Sequence, residues 1–216
     1  MKKTKVFGLG LSRTGTTTLG KCLTILGYTV TDNSFEQLKL VKEGNLDPIW
    51  EITNKFDAFE DLPWPFIYKE LYKKYPNAKF ILTTHKDEET WLKSYIRHCT
   101  YGKRKTLWNS VRHNVVAYGI PYPVNHEEEF KKIYKKHNND VRKFFKNKKN
   151  FKELCWMKGD RWEELCSFLG VTIPEKEFPH SYQSDWGYYE RYYRIAKKYP
   201  DKFFPKYNGE EKYERK

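Results

Sequence analysis

Lys5-Val6-Phe7-Gly8-Leu9-Gly10-Leu11-Ser12-Arg13-Thr14-Gly15-Thr16-Thr17-Thr18 runs from an apolar strand-like segment into a glycine- and threonine-rich turn. Leu19, Cys22, Leu23 and Leu26 follow at helical spacing, and Gly27 closes the run. A strand that feeds a helix through such a turn presents backbone N–H groups and a helix N-terminus to one point, which is an anion cradle. The spacing from Gly10 to Gly15 is G-x-x-x-x-G. A nucleotide-hydrolysing P-loop carries Lys after the second glycine to hold the outer phosphates. Here that position is Thr16, and the positive charge sits upstream at Arg13. A guanidinium fork there suits a leaving phosphate, and the hydroxyls of Ser12, Thr14, Thr16, Thr17 and Thr18 add donors without charge. Gly8-Leu9-Gly10 also begins like a dinucleotide fingerprint, with Asp32 after the next segment. Arg13 stands where that motif needs its third glycine for close helix–sheet packing.

Outward from the loop, the pattern alternates. Tyr28–Thr31 reads as a second strand, residues 38–42 as a short helix and Phe56–Glu60 as a third strand. Pro63 and Pro65 open a helix through Tyr75, and Lys79–Thr84 is the clearest strand. Helices are expected over 88–98, 106–118 and 127–146, and a further strand near Phe151–Met157. Asp160-Arg161-Trp162-Glu163 resembles a capping box for a helix ending at Gly170. The tail from Trp186 is expected to form a helix packed on the body. Such alternation predicts one α/β domain over 1–216, a parallel central sheet flanked by helices, with a helical insert over about 102–150.

Composition narrows the class. The chain has 216 residues, 38% hydrophobic and 32% charged, and a net charge of +13 that favours anionic ligands without choosing among them. No run of 18 apolar residues predicts a membrane span, and the basic start lacks a signal-peptide core, so a cytoplasmic protein is expected. The four cysteines lack C-x-x-C spacing, which predicts reduced thiols and no metal site. Ten Lys or Arg lie between Lys131 and Lys152, with Phe130, Ile133, His137, Val141 and Phe144 near helical spacing. A helix with one packed and one solvated face explains this better than nucleic-acid binding.

With these residues in hand, the chain resembles the P-loop-like sulfotransferases, in the branch whose loop reads G-L-x-R-T-G-T-T. The resemblance extends through Phe59–Pro63, Tyr68–Leu71, Tyr75–Leu82, His137-Asn138 and Trp162–Gly170, ending near Phe178-Pro179-His180. It implies transfer of a sulfuryl group from 3′-phosphoadenosine 5′-phosphosulfate to a hydroxyl or amine of a small-molecule or glycan acceptor, acidic acceptors included, with no metal. Residues 12–18 would hold the 5′-phosphosulfate, with Arg13 stabilising the leaving group. The family's grip on the 3′-phosphate, an Arg with a Ser eight residues on, maps to Lys86 and Ser94. Lys keeps the charge but loses the bidentate fork, and Arg97 or Lys158 are the basic residues that compensate. A base near the acceptor is implied. Asp61 is favoured and Glu60 held in reserve, since alternation sends them to opposite faces; either carboxylate has helix capping at Pro63 as its plainer role. His85, His113 and His137 are further candidates, the latter two read as surface or structural, and His98, His126 and His180 have no nameable partner. A nucleotide-binding protein without catalysis and a kinase-like phosphotransferase stay open as alternatives.

Overall fold

A computed structural model describes residues 3–31, 33–100, 104–179 and 193–204. His180, Asp32 and most of the tail from Trp186 lie outside the described residues. The first three strands, β1 (Val6–Gly8), β2 (Ala58–Phe59) and β3 (Lys79–Thr83), pair in parallel, and β4 (Phe151–Leu154) adds to β3, giving the order β2-β1-β3-β4. The registers Val6↔Ala58, Phe7↔Phe80 and Ile81↔Lys152 align the carboxyl ends of the strands on one rim.

Helices cover both faces, because alternate residues of each strand point to opposite sides. On one face Val6, Ala58, Ile81 and Leu154 pack with Leu19, Cys22 and Leu23 of α1 (Thr16–Ile25) and with Trp162 and Leu165. On the other, Phe7 stacks between Phe59 (4.7 Å) and Phe80 (5.5 Å), and Phe80 reaches Phe145 at 5.0 Å. Each ring buried this way contributes about 1.5–3 kcal/mol. That layer is closed by α3 (Asp47–Lys55), α4 (Tyr68–Lys74) and α7 (Glu127–Phe145), while α2 (Phe35–Lys42), α5 (Glu88–Thr100) and α6 (Arg104–Tyr118) are the other helices between β1 and β4. A second cluster, remote from the strands, joins α2, α5, α6 and the first half of α7 through Leu38, Trp91, Tyr95, Val111 and Phe130. Helix α8 (Trp162–Leu169) follows β4, and the helical residues 193–198 and the short helix Pro200–Phe203 bring buried Ala196 and Phe204 onto this cluster.

Three expectations change in detail. Tyr28–Thr31 is not a strand: it makes a single bridge, Val30↔Ala58. The Thr29 carbonyl takes both the Asp57 and the Ala58 N–H, so the ladder cannot propagate. The capping box moves by one residue. Arg161 is the N-cap and its N–H donates to the Glu164 carboxylate (2.8 Å), while Asp160 accepts from the Cys155 N–H (2.6 Å). The helix expected from Pro63 begins as a 3-10 turn, Trp64–Ile67, before α4. Helix α3 went unforeseen, although Asp47-Pro48 marks its first turn.

The basic helix α7 buries Phe130, Tyr134, Val141 and Phe145, while several of its cations pair across the surface: Lys131 with Glu89 and Glu128, Lys135 with Glu88, Arg142 with Glu153. All four cysteines are free and buried. No helix among the described residues is long and apolar enough to cross a membrane.

Candidate functional site

The order β2-β1-β3-β4 reverses direction between β1 and β3, and a ligand crevice belongs outside the carboxyl ends of those two strands. The loop after β1 lies there. Gly10 abuts the end of β3 so closely that a Cβ would overlap the Thr83 hydroxyl. Thr14 Oγ1 donates to the Leu11 carbonyl (2.7 Å) and lies 2.8 Å from Thr83 Oγ1, so this hydroxyl is spent inside the loop. Arg13 (φ 72) and Gly15 (φ 90) are both left-handed, and they turn the chain into α1.

The carbonyls of the loop are pinned away from its mouth. His137 Nε2 donates to Leu9 O (2.7 Å), Trp91 Nε1 to Ser12 O (3.0 Å) and Trp156 Nε1 to Gly15 O (3.0 Å). The indole of Trp156 also fills the place a Gly15 side chain would need. With the carbonyls taken, the first-turn N–H groups of α1 remain as donors, and Gly15 provides no side-chain cap for them. Asp61, itself left-handed (φ 64), locks the outer side of the loop. Its Oδ1 accepts from Ser12 Oγ (2.5 Å) and the Leu62 N–H (2.8 Å), and Oδ2 from Thr16 Oγ1 (3.1 Å). Neither Asp61 nor Glu60 caps the turn at Pro63, whose N-cap has no side-chain hydrogen bond.

A cleft of about 920 Å³ opens above the loop. Residues 12–18, Asp61 and Ser94 all line it, and Arg13 Nε faces Ser94 Oγ at 3.4 Å. Two residues named from the sequence do not line it. Lys86 is exposed, with His85 on the cleft wall in its place. Glu60 runs beneath α1, its carboxylate 3.3 Å from where a Gly20 Cβ would stand. Of the basic residues suggested to compensate for Lys86, Arg97 lines the cleft and Lys158 does not.

Arg161 lines the cleft too, and the sequence marked it only as part of a cap. Its Nη1 donates to the carbonyls of Trp156 and Asp160 (both 2.6 Å), and its guanidinium lies 5.3 Å from the Phe178 ring centre. The far wall is built by α5 and α6. Burial, then Arg13, pushes His98 below the ordinary histidine range, and burial does the same to His113. His98 keeps exposed surface because it opens onto the cleft rather than into the core. His85 is pushed down to about 4 by burial, with Arg13 and Lys86 adding to it against Asp87. His137 is committed to Leu9 and takes no part in the cleft. No three His, Cys, Asp or Glu side chains among the described residues come together as a metal site.

A family profile described as "Sulfotransferase domain" matches residues 5–186, most of the chain. The chain belongs to this sulfotransferase-domain family. Its parallel sheet flanked by helices is the α/β architecture expected of such a member. It is also similar to "Ava biosynthesis cluster protein M" of Aspergillus versicolor, with 27% identity over 216 residues, spanning 84% of this chain and 82% of that protein. Family membership supports a sulfotransferase-like function.

Proposed function

We propose that the protein transfers a sulfuryl group from 3′-phosphoadenosine 5′-phosphosulfate to a small-molecule acceptor by in-line displacement. The observation that carries this reading is the loop itself. Its carbonyls at Leu9, Ser12 and Gly15 are bonded to His137, Trp91 and Trp156, which leaves N–H donors and Arg13 to meet an anion. Thr16 has its hydroxyl on Asp61, and no lysine follows Gly15 to hold a nucleoside triphosphate. That donor set fits a phosphosulfate better than the β- and γ-phosphates of ATP.

The residues 12–18 would hold the 5′-phosphosulfate, with Ser94 orienting Arg13 from one side. As the bond from sulfur to the bridging oxygen breaks, charge gathers on the departing phosphate, where Arg13 and the first-turn amides of α1 stabilise it without reorganising. Arg97 and Arg161 line the cleft beside Arg13 among the described residues, and they stand in for the exposed Lys86 toward the 3′-phosphate. Guanidinium forks make the bidentate contact that Lys86 could not. Asp61 keeps the loop in register through Ser12 and Thr16, and its Oδ2 retains acceptor capacity toward the cleft. In-line attack depends on this positioning. Helix α6, within residues 102–150, supplies the acceptor wall. The biosynthesis cluster in the relative's name supports a small molecule as the acceptor.

Incubation with the donor and a pooled acceptor mixture, followed by mass spectrometry, tests the reading. Adenosine 3′,5′-bisphosphate should accumulate with wild type and fall by at least about 100-fold with Arg13→Ala. Equal release from both proteins would overturn it.

A further inference from the structure

The amino ends of the strands form the pole of the molecule opposite the cleft, and cations gather there. Helix α4 reaches this pole with Lys73 and Lys74 in its last turn, just before β3. Helix α7 reaches it with Lys143, and Lys146, Lys148 and Lys149 follow before β4. The two segments are fixed to each other. Tyr72 meets Phe144 at 5.5 Å and Phe145 at 5.7 Å, and Lys148 lies 5.1 Å over the Tyr72 ring. Asn150 Nδ2 donates to the carbonyls of Pro76 (2.9 Å) and Ala78 (2.7 Å), which ties the turn after α7 to the turn after α4.

Helix α7 divides its charges unevenly. In its first half Lys131, Lys135 and Lys136 each pair with a carboxylate. Toward its end Lys143, Lys146 and Lys149 are exposed, and neither they nor Lys73 have a partner among the described residues. Lysines in a last turn offset the helix dipole, an effect that fades within that turn. Lys148 and Lys149 lie past it. Like charges held this close repel one another until an anion covers them.

The chemistry of the patch restricts what that anion is. Nucleic acid is gripped by guanidinium forks and by bases stacked on open rings. Here Arg142 is spent on both Glu153 oxygens (2.8 and 2.7 Å), and Tyr72 and Phe144 are half-buried beneath Lys148. A protein partner needs apolar anchors. The exposed large apolar side chains of the described residues, Met157, Val171, Ile173, Ile195 and Tyr199, belong to other segments. Flexible ammonium groups match a diffuse negative surface, which needs neither fork nor anchor.

We infer that the lysine face at the ends of α4 and α7 is a docking surface for anionic lipid bilayers, held by charge without insertion. Each lysine contributes about fivefold to such binding. A docked molecule turns its cleft away from the bilayer, toward water.

Co-sedimentation of the full chain with vesicles tests this, using phosphatidylcholine alone and phosphatidylcholine with about 30% phosphatidylserine. The protein should sediment with the mixed vesicles and not with the neutral ones. It should be released as sodium chloride rises from about 0.1 to about 0.5 M. The combined variant Lys143→Gln, Lys146→Gln, Lys149→Gln should weaken binding by roughly 100-fold. A matched variant, Lys132→Gln, Lys135→Gln, Lys136→Gln, removes the same charge from the other half of α7 and should weaken it by less than about 3-fold. Both variants should melt as wild type does. No sedimentation with the mixed vesicles, equal sedimentation with the neutral ones, or equal losses in the two variants would each overturn the inference. Tighter binding to duplex DNA than to the mixed vesicles, lost in the first variant, would overturn it in favour of nucleic acid.

Discussion

The rim of the sheet and the α5–α6 wall face each other across one cleft, yet they are built in opposite ways. At the rim, backbone sets the shape: Gly15 and Arg13 fix the turn, and distant side chains only pin its carbonyls. On the wall, side chains face the cleft from regular helices whose backbone is already satisfied. A backbone site is written in local spacing and tolerates few substitutions. A side-chain site is written in which residues happen to meet, and each member can be changed with the helix intact.

The contrast predicts a graded series. Arg13→Ala should have the largest effect, a loss of about 100- to 1,000-fold in kcat, read in a donor-turnover assay. An effect smaller than that of Asp61→Asn would mean that the guanidinium of the loop does not carry the chemistry. Gly15→Ala comes next. Its Cβ would enter the Trp156 indole at a left-handed φ of 90, which should destabilise the fold by about 3 kcal/mol in urea denaturation. Asp61→Asn should lower kcat by about 10- to 100-fold, because an amide group can serve only part of the Ser12, Leu62 and Thr16 set. Donor affinity should change less. A loss of affinity with kcat unchanged would assign Asp61 to binding alone. Trp156→Phe removes one N–H to the Gly15 carbonyl and should weaken the bisphosphate by about 5- to 10-fold.

The smallest effect belongs to the turn between β3 and α5. His85 is neutral in the fold with its pKa lowered to about 4. The unfolded chain takes up a proton below about pH 6.5 that the fold refuses, so stability falls as pH drops from there toward 4. Allowing for the half-exposed ring, the contribution is on the order of 1 kcal/mol. It should vanish from the pH profile of His85→Asn in denaturant titrations.

The same contrast explains what the sequence could and could not tell. Strand β1, its loop and β3 are continuous segments whose glycines and apolar runs state their conformation, so the α/β alternation and the tight turn from β1 into α1 were legible. Only Asp61 of the Glu60–Asp61 pair reaches the cleft, yet β2 ends at Phe59 and Asp61 is left-handed, so the turn after the strand, not strand alternation, separates them. Trp156 lies 141 residues from the Gly15 carbonyl it holds, and nothing in its local sequence announces that bond. Arg161 looked like a helix cap because it is one; its place on the cleft wall comes from the fold of β4 and α8. The charge-rich helix suggests a surface or structural role for His113, since helical periodicity cannot distinguish solvent from a cleft. Lys86 shows the converse: its spacing from Ser94 fits the family pattern, but its side chain is exposed and outside the cleft.

Calorimetric titration of the wild-type protein with adenosine 3′,5′-bisphosphate, beside magnesium ATP and NADPH, tests the central claim most directly. The account predicts micromolar affinity for the bisphosphate, lost in Arg13→Ala, and little heat from the other two. Binding of ATP alone, or of none of the three, would contradict it.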